Sequence, residues 1–147
     1  MSRQNAREAA VRFLYQADIT GDDPASVIES YFHNIQPDDE DVYIPLGDDD
    51  IDYTNSLLSG VSEHIDEIDG IISANSNGWK INRISKTLLA VMRIAVFEMK
   101  YRDDVPAKVS INEAIELAKA YDGEATGAFV NGILAGAVRS LGILNDE

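Results

Sequence analysis

Between Lys86 and Tyr101 the chain is apolar on almost every side of a helix, through Leu88, Leu89, Val91, Met92, Ile94, Ala95, Val96, Phe97 and Met99. A helix with so little polar surface has to be enclosed by others, so this segment predicts the buried centre of a helical bundle. The rest of the chain offers the enclosing helices. Ala6, Ala9, Ala10, Phe13, Leu14 and Ala17 recur at three- and four-residue spacing and predict a helix over Gln4 to Asp18. Asp23-Pro24 has the form of an N-cap followed by a first-turn proline, opening a second helix that carries Val27, Ile28, Tyr31, Phe32 and Ile35. A long third helix follows, with Leu57, Leu58, Val61, Ile65, Ile68 and Ile72 as its stripe, ended by Asn75-Ser76-Asn77-Gly78.

After Pro106, the stretch Ser110-Ile111-Asn112-Glu113 has capping-box spacing and predicts a helix opening at Ser110. A last helix is expected from about Gly127 to Leu141, with Val130, Ile133, Leu134 and Ala137 facing inward. No segment alternates with the period of two that a strand requires. The expected fold is therefore all-α, about seven helices in two packed helical sub-bundles, forming a single domain over residues 1–147.

Charge is distributed unevenly. The chain has a net charge of −14, yet residues 1–12 hold Arg3, Arg7 and Arg12 against Glu8 alone. From Phe13 to Trp79 there is no Lys or Arg, and from Lys80 onward acidic and basic residues balance. Such a chain is repelled from nucleic acid at long range, so any RNA contact must be local and assisted by a partner. A hydrophobic content of 45% argues against disorder despite the charge. There is no cysteine, hence no disulfide framework or thiolate chemistry. The N-terminus is charged where a signal peptide is apolar, and no apolar run reaches membrane-spanning length. A cytoplasmic protein is expected.

Catalytic signatures are missing. His33 and His64 lack companions at metal or triad spacing, and no GxxxxGK[ST], GxSxG or GxGxxG occurs. The clusters Asp38-Asp39-Glu40-Asp41 and Asp48-Asp49-Asp50 with Asp52 fail the calcium-loop pattern, because Gly47 precedes its aspartates instead of dividing them. The segment from Asp38 to Asp52 is left as a solvated loop or an acidic docking surface. No enzyme, cofactor or metal is expected.

Two places have the composition of binding surfaces. On the first helix, Tyr15 lies off the apolar stripe beside Glu8, Val11 and Arg12, while Arg3 and Arg7 are spaced to share one side as a minimal basic patch. At the start of the last helix, Phe129 sits at the edge of the apolar stripe among Gly127, Gly132 and Gly136. Mid-helix glycines cost about 1 kcal/mol each relative to alanine, so close packing or ligand approach must offset them. Lys86, Arg93 and Lys100 recur every seven residues; an internal partner for Arg93, such as Glu113 or Glu116, is the expected reading.

Four stretches, in order, resemble the NusB family of transcription antitermination factors: Ala6-Arg7-Glu8-Ala9-Ala10-Val11 with Leu14-Tyr15-Gln16; Leu89 through Met99; Asp104-Val105-Pro106 with Val109 through Lys119; and Phe129-Val130-Asn131-Gly132-Ile133-Leu134. The resemblance implies a non-catalytic adaptor without cofactor. It would bind boxA-like RNA of ribosomal-RNA transcripts jointly with the small-subunit ribosomal protein NusE, within the transcription elongation complex, as a monomer or homodimer. It further implies RNA contacts at Arg3, Arg7 and Phe129 and a protein-partner contact at Tyr15. The sequence departs from the family in having Gln4 and Asn5 within its N-terminal basic segment, and Leu88 where some members carry an acidic partner-contacting residue. Two rivals remain at this point. One is a protein-only helical module docking through its acidic middle. The other is the accessory domain of a ribosomal-RNA cytosine methyltransferase, for which a following cofactor-binding domain would be needed.

Overall fold

A computed structural model describes residues 3–22, 26 and 46–143. Within them the chain forms α1 (Gln4–Thr20), α2 (Asp48–Glu63), α3 (Ile65–Ala74), a 3₁₀ turn (Ile81–Arg83), α4 (Lys86–Tyr101), α5 (Ala107–Asp122) and α6 (Thr126–Leu141), with no strand among the described residues. The second helix expected around Val27 to Ile35, His33 and the cluster Asp38 to Asp41 lie outside the described residues.

Helix α4 has the central place that its composition requires. It contacts each of the other five helices, and Leu89, Ala90, Val91, Met92, Ile94, Ala95 and Val96 are all buried along it. Its start is set by Ser85, whose Oγ accepts the Leu88 N–H at 3.1 Å and supplies one donor with the partner that the first turn lacks. Helices α1 and α2 pack on one another and on α4; α5 and α6 form a second pair against it, and α3 bridges α4 and α6. One continuous core runs through both groups, from Ala6 and Phe13 to Leu134 and Ala137.

Three expectations about helix ends change. The long third helix is interrupted at His64, whose backbone (φ −114, ψ 24) leaves the α region for one residue. The hydrogen bonds His64 N–H to Gly60 and Ile68 N–H to His64 still span the break, and the His64 ring stacks on Tyr101 at 4.2 Å. Helix α5 begins at Ala107 with Pro106 as its N-cap, so Ser110 lies inside the helix and is buried. Its hydroxyl serves a buried carboxylate, described below, and Glu113 is therefore no capping residue. Finally, Asp48, Asp49 and Asp50 form the first turn of α2, where they favour the positive end of the helix dipole. The Asp50 carboxylate accepts the Gly47 N–H at 3.4 Å.

The regular basic stripe on α4 is internally neutralised. Arg93 makes a bidentate pair with Asp69 (2.8 and 2.9 Å) and reaches Asp18 at 3.6 Å; Lys86 reaches Asp18 at 3.4 Å, and Lys100 pairs with Glu67. An internal partner for Arg93 was expected, but on α5. The face of α4 bearing Arg93 instead meets α3 and the end of α1. Burial is the largest single influence and disfavours the charged Arg93 guanidinium, but the hydrogen bonds and charges of Asp69 and Asp18 together outweigh it and raise the pKa.

Candidate RNA and partner interface

The N-terminal end of α1 is fixed by a buried polar knot. Glu98 of α4, 1% exposed, accepts hydrogen bonds from Arg7 Nε (2.9 Å), from the Tyr53 hydroxyl and from Ser110 Oγ (3.0 Å). These donors come from α1, α2 and α5, so one carboxylate ties three helices to the central one. Burial and then the hydrogen bond to Glu98 push the Tyr53 phenol from its ordinary 10.0 up to about 12. A second bond, Thr54 Oγ1 to the Ala6 carbonyl (3.2 Å), also joins α1 to α2.

Arg7 was expected at an exposed phosphate site. It is 5% exposed, with its guanidinium committed to Glu98, and so acts inside the fold rather than as a free surface cation. Its Cβ-bearing side of α1 is the core side, as the burial of Ala6 and Ala10 confirms. Arg3, one turn earlier, is the more accessible of the two, with its side chain 35% exposed. It lies 4.1 Å over the Tyr53 ring and pairs with Asp104 at 3.1 Å, while Arg102 covers the same ring at 4.8 Å and also grips Asp104. The hydrogen bond from Arg102 and, against desolvation, that from Arg3 hold the Asp104 carboxyl below the usual carboxylate range.

Tyr15 is exposed, as its place off the apolar stripe predicts. It lines a largely apolar groove of about 430 Å³ with Val11, Gln16, Ile19, Thr87 and Tyr121. One end is closed by a polar cluster: Arg12 donates to Glu8 (3.2 Å) and to the Tyr121 hydroxyl (2.9 Å), and that hydroxyl donates to Glu8 (2.7 Å). Val11 is buried and forms the floor, while Ile19 stands 55% exposed on the rim. Leu88, at the position where an acidic contact was in question, is 8% exposed and belongs to the core.

Phe129 is on a separate surface. It is half-buried at the start of α6, in a depression of about 300 Å³ shared with Asn75, Asn77, Trp79, Gly132 and Arg139. Trp79 meets it edge-on, with ring centroids 6.3 Å apart and planes at 78°. The turn that presents Trp79 uses Asn77 at φ 51 and Gly78 at φ 87, and is braced by the buried Ser76 hydroxyl bonding to the Ser73 and Trp79 carbonyls. Gly136 explains how this turn sits so close to α6: a Cβ there would lie 2.3 Å from Asn75 Oδ1. Sequence reasoning singled out Phe129 and missed Trp79. The available signal was a lone tryptophan directly after a turn and directly before Lys80.

With these surfaces in place, the comparison with known families is direct: the family model described as "NusB family" matches residues 4–139. The chain belongs to the NusB family. Transcription antitermination protein NusB of Ruminiclostridium cellulolyticum is 45% identical over 135 residues, covering 92% of this chain and 87% of that protein. NusB of Clostridium botulinum (strain Loch Maree / Type A3) is 39% identical over 137 residues, covering 91% and 97%. Among solved structures, T. maritima NusB superposes with a TM-score of 0.79 at 28% identity, covering 99% of this chain and 94% of that one. A chain from a structure of antitermination factors NusB and NusE in complex with dsRNA superposes with a TM-score of 0.78 at 26% identity, covering 94% and 96%. The all-α architecture is thus that of solved NusB structures. No helix among the described residues is long and apolar enough to cross a membrane, and none of their His, Asp and Glu side chains forms a group of three able to hold a metal ion.

Proposed function

We propose that this NusB-family chain is a cytoplasmic, non-catalytic antitermination adaptor, one domain that holds boxA-type RNA jointly with the small-subunit ribosomal protein NusE. The observation that carries this reading is its close superposition, over nearly the whole chain, on a protein solved with NusE and RNA. The two exposed aromatic surfaces give the adaptor two faces. The Tyr15 groove suits a protein partner, since an apolar channel with tyrosine at its rim and a polar cluster at its end has the make-up of an interface core. The Phe129 depression and Arg3 suit RNA, by stacking and by charge. Arg7 contributes to RNA binding through position: its bond to Glu98 fixes the helix that presents Arg3.

The acidic composition makes the partner essential. With Arg3 already paired to Asp104 and Arg7 buried, little free cationic surface remains at the N-terminal tip, so RNA binding by the isolated chain is weak. The test is a titration of boxA RNA against the chain with and without NusE, at two salt concentrations. Weak binding alone and tighter binding with NusE is the expected result. Equal, negligible binding in both conditions refutes the proposal.

A further inference from the structure

Most of the basic side chains are spent on carboxylates of the same chain. Among the described residues, Lys80, Arg83, Lys108 and Arg139 are those with no carboxylate at ion-pair distance. Three of these four lie by one feature, along the chain or in its lining. Lys80 follows Trp79 directly, Arg83 closes the 3₁₀ turn that Trp79 leads into, and Arg139 lines the depression that Trp79 shares with Phe129. All three are exposed. In a protein of net charge −14, an uncompensated cation lining an aromatic depression, with two more next to its tryptophan along the chain, is the pattern that suits a polyanion with flat, stacking groups.

The shape of the site agrees. Trp79 is 56% exposed, the largest exposure of any large apolar side chain described. Because Phe129 meets it edge-on, the contact leaves indole surface uncovered instead of burying it in a stack. Gly132, on the adjoining turn of α6, has no atom within 4 Å of where a Cβ would be. The helix thus accepts the roughly 1 kcal/mol cost of a glycine there without any packing inside the chain to require it, unlike at Gly136. The open space lies in the same depression as the two rings.

We infer that Trp79 is a base-stacking platform of the RNA site, taking one unpaired nucleobase over Gly132 against Phe129, with Lys80, Arg83 and Arg139 holding the flanking phosphates. The inference rests on the proposed RNA-binding role and extends it to residues that the N-terminal basic segment does not include. Single-stranded RNA is the required form, because bases in a duplex keep their faces covered. The RNA path accordingly follows the Asn75–Arg83 connection and the first turns of α6.

Trp79 is the only tryptophan, so its fluorescence reports on the site directly. The experiment titrates single-stranded boxA RNA into the full chain bound to NusE, following tryptophan emission and affinity together, with Trp79→Phe as the optical blank. Strong quenching by single-stranded RNA, and none by the same sequence as a duplex, is expected. Trp79→Ala should weaken single-strand binding roughly five- to a hundredfold, and Trp79→Phe should retain most of it. Lys80→Ala, Arg83→Ala and Arg139→Ala combined should flatten the slope of log affinity against log salt by about 2. RNA bound by Trp79→Ala as tightly as by the native chain, with no quenching in the native complex, overturns the inference and leaves the adaptor reading standing. Quenching caused by NusE alone, with no further change on adding RNA, assigns the ring to the protein interface and also overturns it. No RNA binding by the native complex removes both readings.

Discussion

Replacing Glu98 by alanine should be the most damaging single change on the polar side of the core. Glu98 is 1% exposed and accepts from Arg7, Tyr53 and Ser110, themselves 5%, 6% and 1% exposed. Removing the carboxylate leaves a buried guanidinium without its counter-charge, which costs about 3–5 kcal/mol. The two hydroxyls lose their acceptor as well, at roughly 1–3 kcal/mol each when no other partner is found. These costs overlap, because water entering the vacated space serves several donors at once, so a total of about 4–6 kcal/mol is expected. Domains of this size are commonly stable by about 5–15 kcal/mol, which makes the variant marginal. Urea unfolding followed by far-ultraviolet circular dichroism measures the effect. With a slope of about 2 kcal/mol per molar, the midpoint should fall by at least 2 M. The reasoning also specifies what the double variant does. Arg7→Met with Glu98→Met replaces an ion pair by packing, so much of the loss should be recovered, giving a coupling energy of about 2 kcal/mol or more. A midpoint shift under about 0.5 M for Glu98→Ala, with an unchanged slope, or simple additivity in the cycle, would refute the account of the knot.

Other consequences follow from the same geometry. Arg7→Ala should destabilise the fold yet leave the salt slope of RNA binding by the NusE-bound chain unaltered, whereas Arg3→Ala should flatten that slope by less than about 1; a flatter slope for Arg7→Ala would return Arg7 to the RNA surface. Tyr15→Ala, changing an exposed ring on the groove rim, should weaken NusE binding by about 1–3 kcal/mol with stability held within about 0.5 kcal/mol, as calorimetry and thermal melts would show. The Tyr53 phenol is raised in the folded state from 10.0 to about 12, first by burial and then by Glu98, so folding favours its neutral form. That contribution is complete below pH 10 and is lost as pH rises through 12. Ultraviolet titration of the tyrosines should find Tyr53 among the late-ionising hydroxyls, beside Tyr101, raised by its Glu67 bond, and Tyr121, raised by burial and Glu8. Tyr53→Phe should remove one late step; a late titration unchanged in Tyr53→Phe would contradict the buried bond.

Local sequence determined most of the helices, because the spacing of apolar residues is a property of the chain itself. The limits of α4 are those of its apolar run from Lys86 to Tyr101, a composition with no alternative to burial; that Ser85 caps its start is shown by the structure. Where two roles compete for one residue, local pattern was insufficient. Ser110 has the spacing of an N-cap, but a serine that can satisfy a buried carboxylate is worth more there than at a solvent-exposed helix start, and the helix begins one turn earlier. At the break in the third expected helix, the His64 imidazole stacks on Tyr101, a residue 37 positions away, a contact that no local pattern announces.

The surfaces divide in the same way. Tyr15 was readable because exposure on one helix follows from its angular position, and Phe129 because its glycines pose an energetic question. Charge was not readable residue by residue. Arg3 and Arg7 are four apart and look equivalent in sequence, yet only tertiary packing placed Glu98 beneath Arg7 and left Arg3 nearer solvent. The same packing gave Arg93 its partners on α1 and α3, left Lys80 and Arg83 uncompensated, and brought the uncompensated Arg139 into the depression of Trp79. Periodicity along a chain selects the helix and the face it buries; which charges meet across helices is a matter of distances between segments, and only the folded structure sets those.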